Sequence, residues 1–401
     1  MLPKSKAGCG RLRACPTWSG RPGSQPGTRC RLRTEESSRR FKTCGRILIS
    51  QISQCVLKYT REPRRCASNL ALGEFEMTDV DRLLKELSDE TQTLSIARLY
   101  ELSGLDHEET EHFSVVWPQI PAGRRQTIIS HLVDIAEANF EADFDAVFRA
   151  CFTDEDEFVR TQAIEGLWES EDIKLICPLL EFLHHDPSAA VRAASATSLG
   201  RFVLLGELGK LSPTLTHNVS EALWEVINSF EEDIEVRRRA IESMAYSSEE
   251  AMAEVIADAY ADDDRLMRVS ALFAMGRSAD PRWKSTVLEE LANPDPEMRY
   301  EAVRACGALE VEEAIPYLRD LMYDGDREIQ EVSIWALGQI GGAEARRILD
   351  ACYEEADEIL YEVIEDALGE LALRSGEVDF LLYSLDADGR DEESDWLEID
   401  E

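Results

Sequence analysis

One pattern of apolar residues returns along this chain at a nearly constant interval, and that interval limits the folds open to it. Its copies begin at Val159, Val191, Val236, Met267, Met298, Ile329 and Leu360, so the last five starts lie 31 residues apart. Within each copy a small or apolar residue follows at +4 and an apolar one at +8. The pairs are Ala163 and Leu167, Ser195 and Leu199, Ala240 and Met244, Ala271 and Met275, Ala302 and Cys306, Ser333 and Leu337, and Ile364 and Leu368. Offsets of four residues put the three side chains on one face of a helix. The small residue at +4 is expected to let a neighbouring helix approach closely. Glycine recurs at +9 (Gly200, Gly276, Gly307, Gly338, Gly369), where a helix end that needs positive φ would use it.

A second amphipathic segment precedes most copies: Ile173 to Leu183, Val219 to Ile227, Ala251 to Tyr260, Ala314 to Met322 and Ala345 to Cys352. Pro178 and Pro316 each stand 13 residues before a start, which suggests a first helix that is kinked or begins late. Each unit therefore reads as helix–turn–helix. One such unit cannot bury its own apolar face, so the units must stack. The predicted fold is all-α, an armadillo-like α-solenoid over residues 139–375. Five residues before each start stands Asp154, Asp186, Glu231, Asp262, Asn293, Asp324 or Glu355, suited to the N-terminus of the helix that follows. Arginine at +1 (Arg160, Arg192, Arg237, Arg268, Arg299) is placed to pair with such acids between adjacent repeats, as a structural ladder.

The layout resembles the HEAT repeat family, in particular the short-unit subgroup first noted in phycobilin lyases. The resemblance covers roughly residues 140–370 and rests on the acid-to-arginine spacing, as in Asp154 to Arg160 and Asp186 to Arg192. It departs from the family pattern at Gln330 and Tyr361, so the ladder is expected to end before the last repeats. The stretch Phe273 to Trp283 is similar to segments of uncharacterised bacterial HEAT proteins. Between the second and third copies, Phe202 to Thr216 exceeds the period and contains Gly206, Gly209 and Pro213. An insertion there either emerges as a binding loop or is a spacer.

The two ends differ from the repeats. Residues 1–76 hold 16 Lys/Arg, 5 Asp/Glu and six of the ten cysteines, without apolar periodicity. They read as a disordered transit-type leader, as a basic arm, or as text upstream of a true start at Met77; the third reading is favoured. Residues 77–138 are expected to form a helical N-terminal cap, with helices over Asp79–Ser103, Asp106–Trp117 and Ala122–Ala138. Residues 376–401 comprise a covering segment, Glu377 to Leu385, and an acidic tail expected to be disordered, which either docks through Trp396 in a groove, in cis or on a partner, or serves solubility alone.

Charge narrows the function. The formal net charge is −37, from 80 acidic and 43 basic residues, and residues 77–401 hold 75 and 27 of these. A nucleic acid partner is not expected, because phosphate binding needs clustered Lys and Arg. A basic protein partner, or solubility alone, fits the acidity. No apolar run of about 18 residues suggests a membrane span, no secretory leader is evident, and the expected compartment is the cytoplasm with reduced cysteines. No C-x-x-C pair, P-loop, Rossmann glycine motif, G-x-S-x-G or H-E-x-x-H occurs.

The residues that enzymes with similar repeats depend on are not matched in this chain. Deoxyhypusine hydroxylases carry repeated His-Glu pairs for a di-iron site, whereas His107-Glu108 is the only pair here. His184-His185 point to different sides of a helix end. HEAT-like DNA glycosylases use a basic face. The reading is thus a binding scaffold and not an enzyme, with no cofactor and no metal; the alternative is a bilin or tetrapyrrole lyase or chaperone. Candidate partner contacts on the second helices are Glu165, Trp168, Glu169, Arg201, Tyr246, Arg277 and Trp335, since Trp and Tyr beside charge make good interface anchors.

Overall fold

A computed structural model describes residues 79–374 apart from 90, 92, 140, 355 and 356. By its internal contacts the chain divides into two units, Met1–Cys66 and Ala67–Glu401. The first unit lies outside the described residues. So do the proposed start at Met77, Glu355, the segment Glu377 to Leu385 and the acidic tail with Trp396. Among the described residues there are eighteen α-helices and no strand, arranged as an α-solenoid.

The N-terminal helices fall where the sequence placed them: α1 (Asp79–Leu87), α2 (Ile96–Leu99), α3 (His107–Val116) and α4 (Ala122–Ala138). Asp106 and Glu109 start α3 with a reciprocal capping box. Beyond them, helices alternate between two layers. The first-helix layer contains α5 (Asp145–Cys151), α7 (Ile176–His185), α9 (Pro213–Ile227), α11 (Glu250–Tyr260), α13 (Lys284–Glu290), α15 (Ile315–Leu321) and α17 (Gly342–Tyr353). The second-helix layer contains α6 (Glu157–Glu165), α8 (Ala189–Glu207), α10 (Ile234–Met244), α12 (Arg265–Arg277), α14 (Pro296–Ala308), α16 (Arg327–Ile340) and α18 (Glu358–Arg374).

Each second helix packs on its own first helix and on the second helix of the next repeat, from α6 through α18. Helix α4 packs on α6 in the same way, so the second-helix layer begins inside the expected cap. The start, +4 and +8 residues are buried, apart from Leu368, which is half-buried. Ser195 and Ser333 are fully buried at +4, and their hydroxyls donate to the Val191 and Ile329 carbonyls at 2.8 and 2.6 Å. That bond removes the penalty of an unpaired hydroxyl in the core.

The glycines at +9 serve a different purpose from the one expected of them. Among them Gly200, Gly276, Gly307 and Gly338 have no positive φ and lie within helices. A Cβ on Gly276 would sit 2.9 Å from the Ala305 Cα, and on Gly307 3.0 Å from the Ala336 Cα. On Gly200 and Gly338 it would meet Ser243 at 2.8 Å and Ala367 at 3.0 Å. In every case the residue met is the small one at +7 of the next repeat. Close approach of consecutive second helices, through +9 against +7, is what demands glycine. Positive φ is found three residues beyond, at Ala279, Glu310 and Gly341.

The long insertion forms no protruding loop. It lengthens α8 to 19 residues, turns at Gly209 (φ 68°) and enters α9 at Pro213 behind the Ser212 cap. Phe202, Val203, Leu205 and Leu211 are buried, so it adds to the core. The first helices of the Pro178 and Pro316 repeats do start late. A 3₁₀ turn, Ile173–Leu175 or Glu312–Ala314, precedes α7 or α15.

Candidate functional site

The turns between the two layers hold the ladder. Arg160 donates from Nε and Nη2 to both oxygens of Asp186 at 2.9 Å, and from Nη1 to the Asp154 carbonyl at 2.8 Å. Arg192 pairs with Glu232 at 2.7 Å, one residue past the expected Glu231, and caps the Asp186 carbonyl at 2.9 Å. Arg299 reaches Asp324 at 3.3 Å and the Asn293 carbonyl at 2.9 Å. Two rungs are missing in the middle. Arg237 lies 5.1 Å over the Phe230 ring, and Arg268 donates to the Asp262 and Asp263 carbonyls at 2.8 and 3.0 Å; neither makes an ion pair among the described residues. For Arg268 the reason is local, because the acid position of the next repeat is Asn293. Gln330 keeps the carbonyl contact, donating to Asp324 O at 2.6 Å. At Arg160, Arg192, Arg268, Arg299 and Gln330 this position ties down the turn carbonyl six residues back, whereas Arg237 reaches the Ile227 carbonyl at 3.5 Å; the rung is added where an acid is in reach.

The acids themselves are not the helix N-caps that were expected. Asp154, Asp186, Asp262, Asn293 and Asp324 each accept the backbone N–H two residues on, at 2.8–2.9 Å. Asp156, Asp233, Asp264, Asp295 and Asp326 do the capping. One rung escaped the sequence reading. Arg125 of α4 pairs with Asp154 at 3.0 Å, both side chains being almost wholly buried. Its signal was present: Arg125, Ile128 and Leu132 occupy +1, +4 and +8 of an eighth copy that starts at Arg124 in place of an apolar residue.

Positions +3, +6 and +10 lie on the opposite side of the second helices from the start, +4 and +8 residues, some of them buried (Ser270, Glu242, Val332) and others open to solvent. From α10 to α16 that face carries a strip of stacked rings and guanidinium groups. The Arg277 guanidinium lies 5.7 Å from the centre of the Tyr246 ring and 5.4 Å from that of Phe273, and Arg304 lies 4.4 Å from Phe273. Such contacts hold the side chains in place before any partner arrives. Trp335 follows, 38% exposed, with its ring edge over Gly307. Beneath the strip, Arg238 donates to Ser270 at 2.9 Å and Ser270 to Glu242 at 2.6 Å, while Arg239 joins Glu242 and Glu235 at 2.9 Å. Glu301 pairs with Arg304 at 3.4 Å. Burial pushes the Glu301 carboxyl up to about 7, with Glu242 and Glu297 adding to the rise and Arg304 and Arg277 opposing it.

Residues 284–369 match the family of HEAT repeats. This stretch of the chain consists of HEAT repeats. Comparison with curated proteins finds no match. Among solved structures it is similar to YibA of Escherichia coli, with 16% identity and a TM-score of 0.36 over 75% of this chain and 98% of that one. It is also similar to human deoxyhypusine hydroxylase (19%, TM-score 0.31, 73% and 95%) and to an engineered protein (17%, TM-score 0.31, 74% and 99%). At these values no residue role is carried across.

The HEAT repeats bring the candidate contacts together only in part. Tyr246 and Arg277 touch, and Arg304 links them toward Trp335. Glu165, Trp168 (48% exposed), Glu169 and Arg201 belong to the earlier repeats, away from the strip. Arg201 is half-buried, and its Nε and Nη1 protons meet no acceptor; burial lowers its pKa against the pull of Glu171, Asp145 and Glu169. Phe273, Tyr300, Glu301 and Arg304 were not singled out from sequence, although Arg304 stands at the same +6 offset as Trp335. Cys151 and Cys306 are fully buried thiols, and burial pushes the Cys306 thiol up to about 12. His184 and His185 stand in the last turn of α7 with ring centres 6.0 Å apart. No helix among the described residues is long and apolar enough to cross a membrane.

Proposed function

We propose that this HEAT-repeat chain is a non-enzymatic scaffold of the cytoplasm that binds a basic protein along the +3, +6 and +10 side of its second helices. The observation that carries the reading is the strip Tyr246–Arg277–Phe273–Arg304–Trp335. Its rings and guanidinium groups are immobilised by one another yet left partly open to solvent. Tyr, Trp and Arg are the residue types that dominate binding energy at interfaces, and pre-ordering lowers the entropy lost on association. The acidic balance of residues 77–401 favours a basic partner by complementarity, which acts more on association rate and selectivity than on affinity.

The test uses the full chain as bait in a native lysate, washed across about 0.05–0.5 M salt, beside a Tyr246→Ala, Arg277→Ala double variant. Exposed charge contacts are screened over that range. One protein retained in near-stoichiometric amount by the parent chain and lost by the variant is the expected result. Capture of the same set of basic proteins by both, all of it removed by salt, would overturn the reading.

A further inference from the structure

At the C-terminal end of the strip, an open cavity of about 540 Å³ is lined by Tyr300, Arg304, Glu328, Glu331, Val332, Trp335 and Val363. It lies between α14, α16 and α18, with Val332 and Val363 as its apolar floor. Two aromatic rings and two carboxylates thus share one hollow. Its two arginines already have partners, Arg304 within the lining and Arg327 beside it. Arg304 lies over Phe273 at 4.4 Å and pairs with Glu301. Arg327 reaches Glu331 at 3.2 Å but also turns to Asp357 of the next repeat at 2.6 Å. Glu328 is exposed and makes no ion pair among the described residues. The Tyr300 hydroxyl senses the balance: burial raises its pKa, with Glu301, Glu328 and Glu331 adding to the rise and Arg304 opposing it.

We propose that this hollow takes one lysine or arginine side chain from an extended basic segment of the partner, its cation over the Trp335 and Tyr300 rings and against Glu328 and Glu331. The aliphatic stem lies on Val332 and Val363, which matches the amphipathic build of such a side chain. A cation held over a ring and desolvated gains more than one at an exposed carboxylate alone. The assignment rests on the scaffold reading and names the chemistry of one contact within it.

The probe is fluorescein-labelled hexalysine, measured by anisotropy against the full chain at fixed ionic strength, with hexa(N-acetyl-lysine) beside it. Removal of the ring in Trp335→Ala should weaken hexalysine roughly tenfold, the equivalent of losing about 1.4 kcal/mol. Glu328→Gln with Glu331→Gln should do the same. Trp335→Phe, which keeps a ring, should lose much less. Glu254→Gln with Asp258→Asn, on the exposed side of α11, should leave binding unchanged. Acetylated peptide should not bind. If Trp335→Ala binds hexalysine as tightly as the parent, or the α11 variant weakens it equally, the chain attracts cations only as a diffuse polyanion and the proposal falls. A partner lost from the Tyr246→Ala, Arg277→Ala bait alongside unaltered hexalysine binding by Trp335→Ala would sink the cation hollow and leave the scaffold standing.

Discussion

At Gly307 a methyl group would come within 2.8 Å of the Trp335 ring and 3.0 Å of the Ala336 backbone, and the backbone cannot yield cheaply. Gly307→Ala and Gly338→Ala should each destabilise the protein by about 1–3 kcal/mol, as overpacking does. Gly369 has the same place in the pattern but meets nothing within 4 Å. Gly369→Ala should therefore stabilise by about 0.5–1 kcal/mol through helix propensity. Urea unfolding of the three variants checks the contrast; equal signs would show that +9 is not a packing position. Glu301 makes a pH prediction. Its folded-state pKa of about 7 lies above the ordinary 4.5. Its contribution to stability is thus fully present below about pH 4.5 and is lost as pH rises through about 7. Glu301→Gln cannot ionise, so its stability should fall less than the parent's across that window.

At the scale of elements, the ladder shows how a repeated residue acquires unequal weight. Arg160 and Asp186 form a bidentate pair with side chains 11% and 5% exposed. Arg160→Ala leaves Asp186 buried without its cation and should cost about 3–5 kcal/mol. Arg268 bonds only turn carbonyls, so Arg268→Ala should cost about 1 kcal/mol. Chemical denaturation of the two variants measures the difference, and similar losses would mean that carbonyl capture matters more than the rung. The arginines are alike in sequence, and their difference lies in what the next repeat offers: Asp186 to one, Asn293 to the other.

For the whole solenoid, each repeat touches only its neighbours, so damage should stay local. Gly307→Leu should raise amide exchange in α14, α16 and α18 while α6 and α8 keep their protection. Uniform loss of protection along the chain would contradict nearest-neighbour stability. The same modularity explains how the insertion was accommodated. Lengthening α8 and α9 adds Phe202 and, in the turn between them, Leu211 to the core, leaving the stacking of α10 on α8 intact.

How much of this was legible beforehand follows from the range of the interactions. The period, the two-helix unit, the buried positions and the late first helices were all readable, because they depend on side chains a few residues apart on one helix. The N-terminal helices were placed correctly for the same reason, yet α4 was set apart as a cap because Arg124 interrupts the apolar signature. Three matters were decided only by tertiary structure: the packing role of the +9 glycines, the two missing rungs, and the meeting of Tyr300, Arg304 and Trp335 around one hollow. Each depends on residues about 25 to 45 positions apart, on neighbouring helices. A repeat tells that such helices stack, but the distance between their backbones and the side chains that then face one another are set by the packing itself.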